Sequence, residues 1–181
     1  MNEAIEQLFL DSKSADKDVN YQAYQQILIL TEEKVDWAYE VWEQLLEDLK
    51  HPNNHQRSRA AQYLANLAKS DPENRILTDF PLLWQVTKDE KFVTARHSLQ
   101  AIWKVALAGS AQKKMVLNYL MERFRTCEDE KNFTLIRSDI LQGLRQLYDE
   151  TLDQQIKQTA LNLIENVDEP KYKKKYTAIW K

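Results

Sequence analysis

Three features of this 181-residue sequence predict an all-α fold. Glycine and proline are scarce, at 2 and 4 residues, while Leu, Lys, Glu, Gln and Ala abound, so tight turns must be few and helices must dominate. Apolar residues recur three and four positions apart, which is the stripe of an amphipathic helix. A twelve-residue pattern also returns along the chain at nearly constant intervals, the mark of an array of helical hairpins.

The elements follow in order. A first helix around Ile5, Leu8 and Phe9 is expected to close one end. "VNYQAYQQILIL" from Val19 carries the first copy of the pattern. Val35, Ala38, Val41, Trp42, Leu45, Leu46 and Leu49 then mark one face of the next helix. The stretch "HPNNHQRSRAAQYLANLAK", His51 to Lys69, begins with a turn and continues into the clearest copy, "QRSRAAQYLANL", of the form xRxxAxxxLxxL. "SDPEN" predicts Asp71 as an N-cap with Pro72 at the first helical position. Pro81 in "TDFPLLW" predicts an irregularity near Asp79 to Pro81, because proline has no amide hydrogen to donate.

"TARHSLQAIWKV" from Thr94 is a weaker copy, with Ser98 at the small position and the arginine displaced to Arg96. Gly109 and Ser110 end one helix and start another. Leu117, Leu120, Met121 and Phe124 line an outer helix, and Phe133, Ile136, Ile140, Leu144 and Leu147 line its partner, "IRSDILQGLRQL" from Ile136. Gly143, mid-helix, marks close packing. Leu152, Ile156, Ala160, Leu163 and Val167 line the following helix. "DEP" predicts Asp168 or Glu169 as a cap before Pro170, which opens a terminal helix.

Anchored on the small position, Ala23, Ala60, Ser98 and Ile140 stand 37, 38 and 42 residues apart, a spacing two helices long. The copy at Ala160 follows after 20, so it is either the shortened end of the array or helical amphipathicity in the guise of a motif. These residues resemble tandem HEAT repeats, from about Val19 to Val167, whose second helix carries a signature like VRxxAxxxLxxL. The resemblance implies a right-handed α-α solenoid of four to five hairpins, a single domain over 1–181. It implies an amino-terminal cap over 1–15 and a carboxy-terminal capping helix over 169–181. The family's turn aspartate and proline appear as His51-Pro52, and Asp89 keeps the aspartate alone. The family's arginine is present at Arg57 and Arg137, becomes Lys157, and is missing at Asn20 and Ala95. In the family it pairs with carboxylates of adjacent repeats.

Composition narrows the functional classes. One cysteine, Cys127, cannot form an intramolecular disulfide, and "RTCEDEK" surrounds it with carboxylates that oppose thiolate formation. With no apolar leader and no hydrophobic run longer than "ILIL" at Ile27 to Leu30, a cytoplasmic protein without a membrane segment is expected. His51 and His55 are four apart but sit around a Pro-Asn-Asn turn with no glutamate following, so polar turn residues are the reading and no metal is expected. Two glycines exclude a phosphate-cradling loop, and no cofactor is expected.

Net charge is −3, yet residues 1–90 hold 9 basic against 17 acidic residues and residues 91–181 hold 16 against 11. The basic half keeps nucleic-acid binding open as an alternative. Five tryptophans keep a narrower one open, since HEAT-like DNA alkylation repair glycosylases hold a cationic base against Trp faces and an aspartate. Trp42 and Trp103 fall on apolar stripes, where core is the simpler reading. The tail "EPKYKKKYTAIWK" spaces Tyr172, Tyr176 and Ile179 for one helix face. The reading that fits most residues is a non-enzymatic scaffold for a protein or peptide partner, with Arg59, Arg96, Arg145, Trp84 and Trp37 as candidate contacts on the concave face.

Overall fold

The computed structural model describes residues 1–181 and is all-helical, without strands. Ten α-helices follow one another: α1 (Glu3–Asp11), α2 (Lys17–Glu32), α3 (Ala38–Asp48), α4 (Asn54–Leu67), α5 (Ile76–Val86), α6 (Phe92–Ala101), α7 (Ser110–Thr126), α8 (Phe133–Thr151), α9 (Gln154–Glu165) and α10 (Pro170–Ile179). No helix is long and apolar enough to cross a membrane. The chain divides into two compact units, Met1–Ser98 and Leu99–Lys181.

In the first unit α4 is central, packed against α2, α3 and α5. Its sequence explains this position, because Ala60, Ala61 and Ala65 are buried and small enough to let neighbouring helices approach. Leu64 and Leu67 fill the seam with no exposed surface. Asn53 caps the helix by accepting from the His55 amide at 2.8 Å. Inside, the Asn66 amide donates to the Thr31 hydroxyl at 2.9 Å, so these buried polar groups satisfy each other.

Two expectations about proline are corrected here. Pro72 does not start α5; it lies in a turn, and the helix begins at Ile76. Asp71 still directs that start, its carboxylate accepting from the amides of Arg75 at 2.9 Å and Ile76 at 2.8 Å. Pro81 does not interrupt α5. Its missing amide costs one hydrogen bond in the second turn, and burial of Phe80, Leu83 and Trp84 around it holds the helix together.

In the second unit α8 takes the central role, against α7, α9, α10 and the segment Ile102–Ala108. That segment is a 3₁₀ helix, where the sequence pattern predicts continuous α-helix through Ile102 and Val105. Three residues per turn align Ile102 with Val105 and Trp103 with Ala106, and all four are buried. Gly143 is buried against Trp103; a Cβ there would lie 3.6 Å from Trp103 Cβ, an ordinary packing distance.

Leu152 does not line α9. It ends α8 in the left-handed region at φ 53° and is 68% exposed. A leucine in that conformation is strained and buries nothing in return, so Leu152→Gly is expected to stabilise the fold by about 1 kcal/mol. Urea unfolding followed by helical circular dichroism checks this, with a raised midpoint at unchanged slope as the expected outcome.

Candidate binding cleft in the carboxy-terminal unit

The five candidate contact residues fall in different environments. Trp37 precedes α3, only 6% exposed, with its ring edge-on to Phe9 at 5.9 Å. Phe9 also meets Tyr63 at 6.0 Å, and Tyr63 meets Tyr24 at 6.2 Å. Arg59 belongs to this aromatic group, its guanidinium 4.8 Å from the Tyr24 centroid and donating to the Ser12 carbonyl at 2.9 Å. Arg59 therefore ties α4 to the end of α1. Trp84 is 6% exposed and stacks on Phe80 at 6.0 Å. Arg96 lies half-buried on α6 over the Phe92 ring at 5.7 Å.

Arg145, in the second unit, pairs with Asp149 at 2.8 Å and donates to the Ile179 carbonyl at 3.1 Å, over the Trp180 ring. The structure thus joins Trp37 and Arg59 in one aromatic cluster around α1.

The signature arginines are held by neighbours. Arg57 forks onto Asp89 at 2.6 and 3.0 Å and donates to the carbonyls of His51 and Pro52 at 2.8 and 3.0 Å. Arg137 donates to the Phe124 carbonyl and to Glu128, each at 2.9 Å. His51 accepts from the Asn53 amide at 3.0 Å and so shapes its own turn. No three His, Cys, Asp or Glu side chains group as metal ligands.

A tryptophan and an aspartate do meet in the first unit. Trp42, fully buried, donates its Nε1 hydrogen to Asp79 at 2.9 Å. The cation over this aromatic group is the chain's own Arg75, 5.7 Å from the Trp42 ring and 5.3 Å from Tyr39, and paired with Glu43. Tyr39 donates to Asp71, and burial together with that carboxylate pushes its phenol above the ordinary value.

The second unit contains a cleft of about 270 Å³, lined by Glu128, Phe133, Arg137, Val167, Asp168, Glu169, Tyr172 and Tyr176. Its parts come from four short stretches. Glu128 lies in the 3₁₀ turn Cys127–Asp129, Phe133 and Arg137 in the first turns of α8, Val167 to Glu169 in the α9–α10 loop, and the tyrosines on α10. Pro170 at the first position of α10 fixes that loop, with Glu169, one of the two residues the sequence offers, at the cap position but without a side-chain cap bond.

Tyr176 is the base of the wall. It is 1% exposed, donates to the Thr134 carbonyl at 2.9 Å, and burial pushes its hydroxyl up to about 12. Tyr172 stacks on it at 6.3 Å. Arg137 lies over Phe124 at 5.0 Å and Phe133 at 5.4 Å, so its charge is spent on these rings and on Glu128. The carboxylates of Asp168 and Glu169, both exposed, make no hydrogen bond or ion pair. Cys127 nearby is fully buried, and burial pushes its thiol up although Arg137 pulls the other way.

Sequence reasoning saw these residues singly. Tyr172 and Tyr176 mark a helix face and Asp168 and Glu169 are cap candidates, but four lysines, Lys171 and Lys173 to Lys175, make the region read as basic. The missed signal was the acidic pair directly before Pro170. No family model matches this chain, and no curated protein matches it in sequence.

Proposed function

We propose that the chain is a HEAT-like scaffold, a right-handed α-α solenoid of helical hairpins, that binds a protein or peptide partner on its concave face without catalysis. The observation that carries this reading is a recurring set of side-chain hydrogen bonds between positions one repeat apart. In the first unit Tyr24 bonds Gln62 at 2.8 Å across 38 residues, Trp42 bonds Asp79 across 37, and Asn54 bonds Thr94 at 3.0 Å across 40. In the second, Gln100 bonds Asp139 at 3.1 Å across 39, Lys113 bonds Asp153 at 2.7 Å across 40, and Tyr176 bonds Thr134 across 42. These separations track the 37 to 42 residue spacing of the sequence pattern. In a repeat array each hairpin is stabilised by its neighbours, and such bonds hold the stack in register.

The alternatives have less to support them. Duplex binding needs several basic side chains turned to phosphates, whereas Arg57, Arg59, Arg137 and Arg145 are each engaged by internal acceptors. The glycosylase reading needs an open aromatic face for a cationic base, and Arg75 already occupies the one beside Trp42 and Asp79.

Titration of a labelled duplex at physiological salt checks both. No binding tighter than about 10 μM, within the range of ordinary non-specific association, is the expected outcome. Nanomolar binding with a steep salt slope, or release of methylated base from treated DNA, overturns the scaffold reading.

A further inference from the structure

We infer that the cleft of the carboxy-terminal unit takes a cationic side chain, the guanidinium or ammonium of a basic peptide segment. This rests on the scaffold reading and identifies the partner's chemistry.

Size comes first. At about 270 Å³ the cleft lies below the roughly 300–1,000 Å³ of small-molecule sites and suits one long side chain rather than a cofactor. Sign comes second. Three carboxylates, Glu128, Asp168 and Glu169, line the cleft with one guanidinium, Arg137, whose hydrogen bonds go to Glu128 and to the Phe124 carbonyl. An anion entering here meets unneutralised carboxylates, while a cation meets two that have no partner.

Asp168 and Glu169 precede α10, whose amino-terminal end favours negative charge, and neither carboxylate is paired with a cation of the chain. Their charge is therefore ready for a ligand. The walls add to this: Tyr172 offers a ring face that attracts a cation through its quadrupole, and Phe133, already under Arg137, offers apolar surface for the aliphatic stem of Lys or Arg. One exposed cation of the chain, Lys171, already rests over the Tyr172 ring at 5.7 Å. An incoming side chain competes with it.

The test uses the full chain and two fluorescein-labelled peptides, (Gly-Arg)₄ and its neutral counterpart (Gly-Gln)₄, in anisotropy titrations at physiological salt. The expected result is saturable binding of the arginine peptide and none of the glutamine peptide. Asp168→Asn with Glu169→Gln, two exposed residues without partners, should weaken binding at least tenfold or so, while Glu122→Gln with Glu150→Gln, an equal charge change elsewhere in the same unit, should change it less than about twofold. Tyr172→Leu should weaken it a few-fold, and Lys171→Gln should tighten it by about as much, against no comparable gain for Lys174→Gln.

Equal losses in the two carboxylate pairs, or no binding of the arginine peptide, overturn the inference. Amide chemical shifts on binding give a readout that folding defects do not mimic, and perturbations confined to residues 128–137 and 167–176 are expected. Failure here with no DNA binding sinks the cation anchor alone; DNA binding or base release sinks the scaffold reading as well.

Discussion

Trp42→Ala is expected to destabilise the amino-terminal unit by about 4–5 kcal/mol, at the upper end for loss of a buried aromatic side chain. The size follows from what the ring touches. Trp42 has no exposed surface, packs edge-on to Tyr39 at 5.8 Å, lies under the Arg75 guanidinium and donates to Asp79. Truncation opens a cavity, removes the ring on which Arg75 rests and takes the donor from a half-buried carboxylate. Trp42→Phe narrows the comparison, because it keeps an aromatic ring in place while removing the Nε1–H donor and the remainder of the second ring. A cost of about 1.5–3 kcal/mol is expected from losing that hydrogen bond to a charged acceptor, with the missing ring atoms adding to it. Urea denaturation of the three proteins, followed by helical circular dichroism, measures both steps; an alanine variant within 1 kcal/mol or so of the parent would show that Trp42 is not core.

Arg57→Ala is expected to cost about 3 kcal/mol, at the low end for breaking one side of a buried pair because the guanidinium keeps some contact with water. The side chains are 16% and 6% exposed for Arg57 and Asp89. Removing Arg57 leaves Asp89 desolvated with only the Lys91 amide, at 2.9 Å, as donor, and frees the His51 and Pro52 carbonyls. The double change Arg57→Met with Asp89→Leu should cost less than either single change to alanine, since no buried charge is left behind. A double that costs the sum of the singles would refute coupling between the two.

The same pair gives a pH dependence. Burial alone would raise the Asp89 carboxyl, but the Arg57 guanidinium and the Lys91 amide outweigh it and hold the group below its ordinary value of 3.8. A carboxylate with a lowered folded value contributes stability that is present above the unfolded value and lost as pH falls through the folded one. That contribution should therefore be complete at pH 5 or so and decline below about 3.8, and Asp89→Asn should flatten this part of the acid limb in unfolding midpoints measured against pH.

Much of the helical organisation was legible because local chemistry determines it. Ala60, Leu64 and Leu67 are buried as their spacing predicts, whereas the burial of Ala61, Tyr63 and Ala65 on other sides of the same helix follows from its place among α2, α3 and α5. The Pro170 start of α10 was legible for a similar reason, proline being suited to a first turn. Pro81 and Pro72 went the other way because neighbours outvote local preference: buried Phe80, Leu83 and Trp84 carry α5 past one missing hydrogen bond, and the Asp71 carboxylate sets the helix start at Ile76. The 3₁₀ segment at Ile102 to Ala108 was invisible for the same reason, since apolar residues three apart serve either helix type.

Arg57 and Arg59 show the limit most clearly. They are two positions apart on α4; the resemblance implies a carboxylate partner for Arg57, which forks onto Asp89, but nothing in the sequence says that Arg59 reaches Ser12 and Tyr24. The cleft is a case of the same kind, assembled from residues 128 to 176 on four separate stretches. Composition and periodicity by themselves determined an all-helical chain and which faces of its helices are buried, because propensity and amphipathicity act within a few residues. Which charges neutralise one another, and which two carboxylates are left beside an aromatic wall, only the tertiary structure decided, because electrostatic partners are chosen by distance in space.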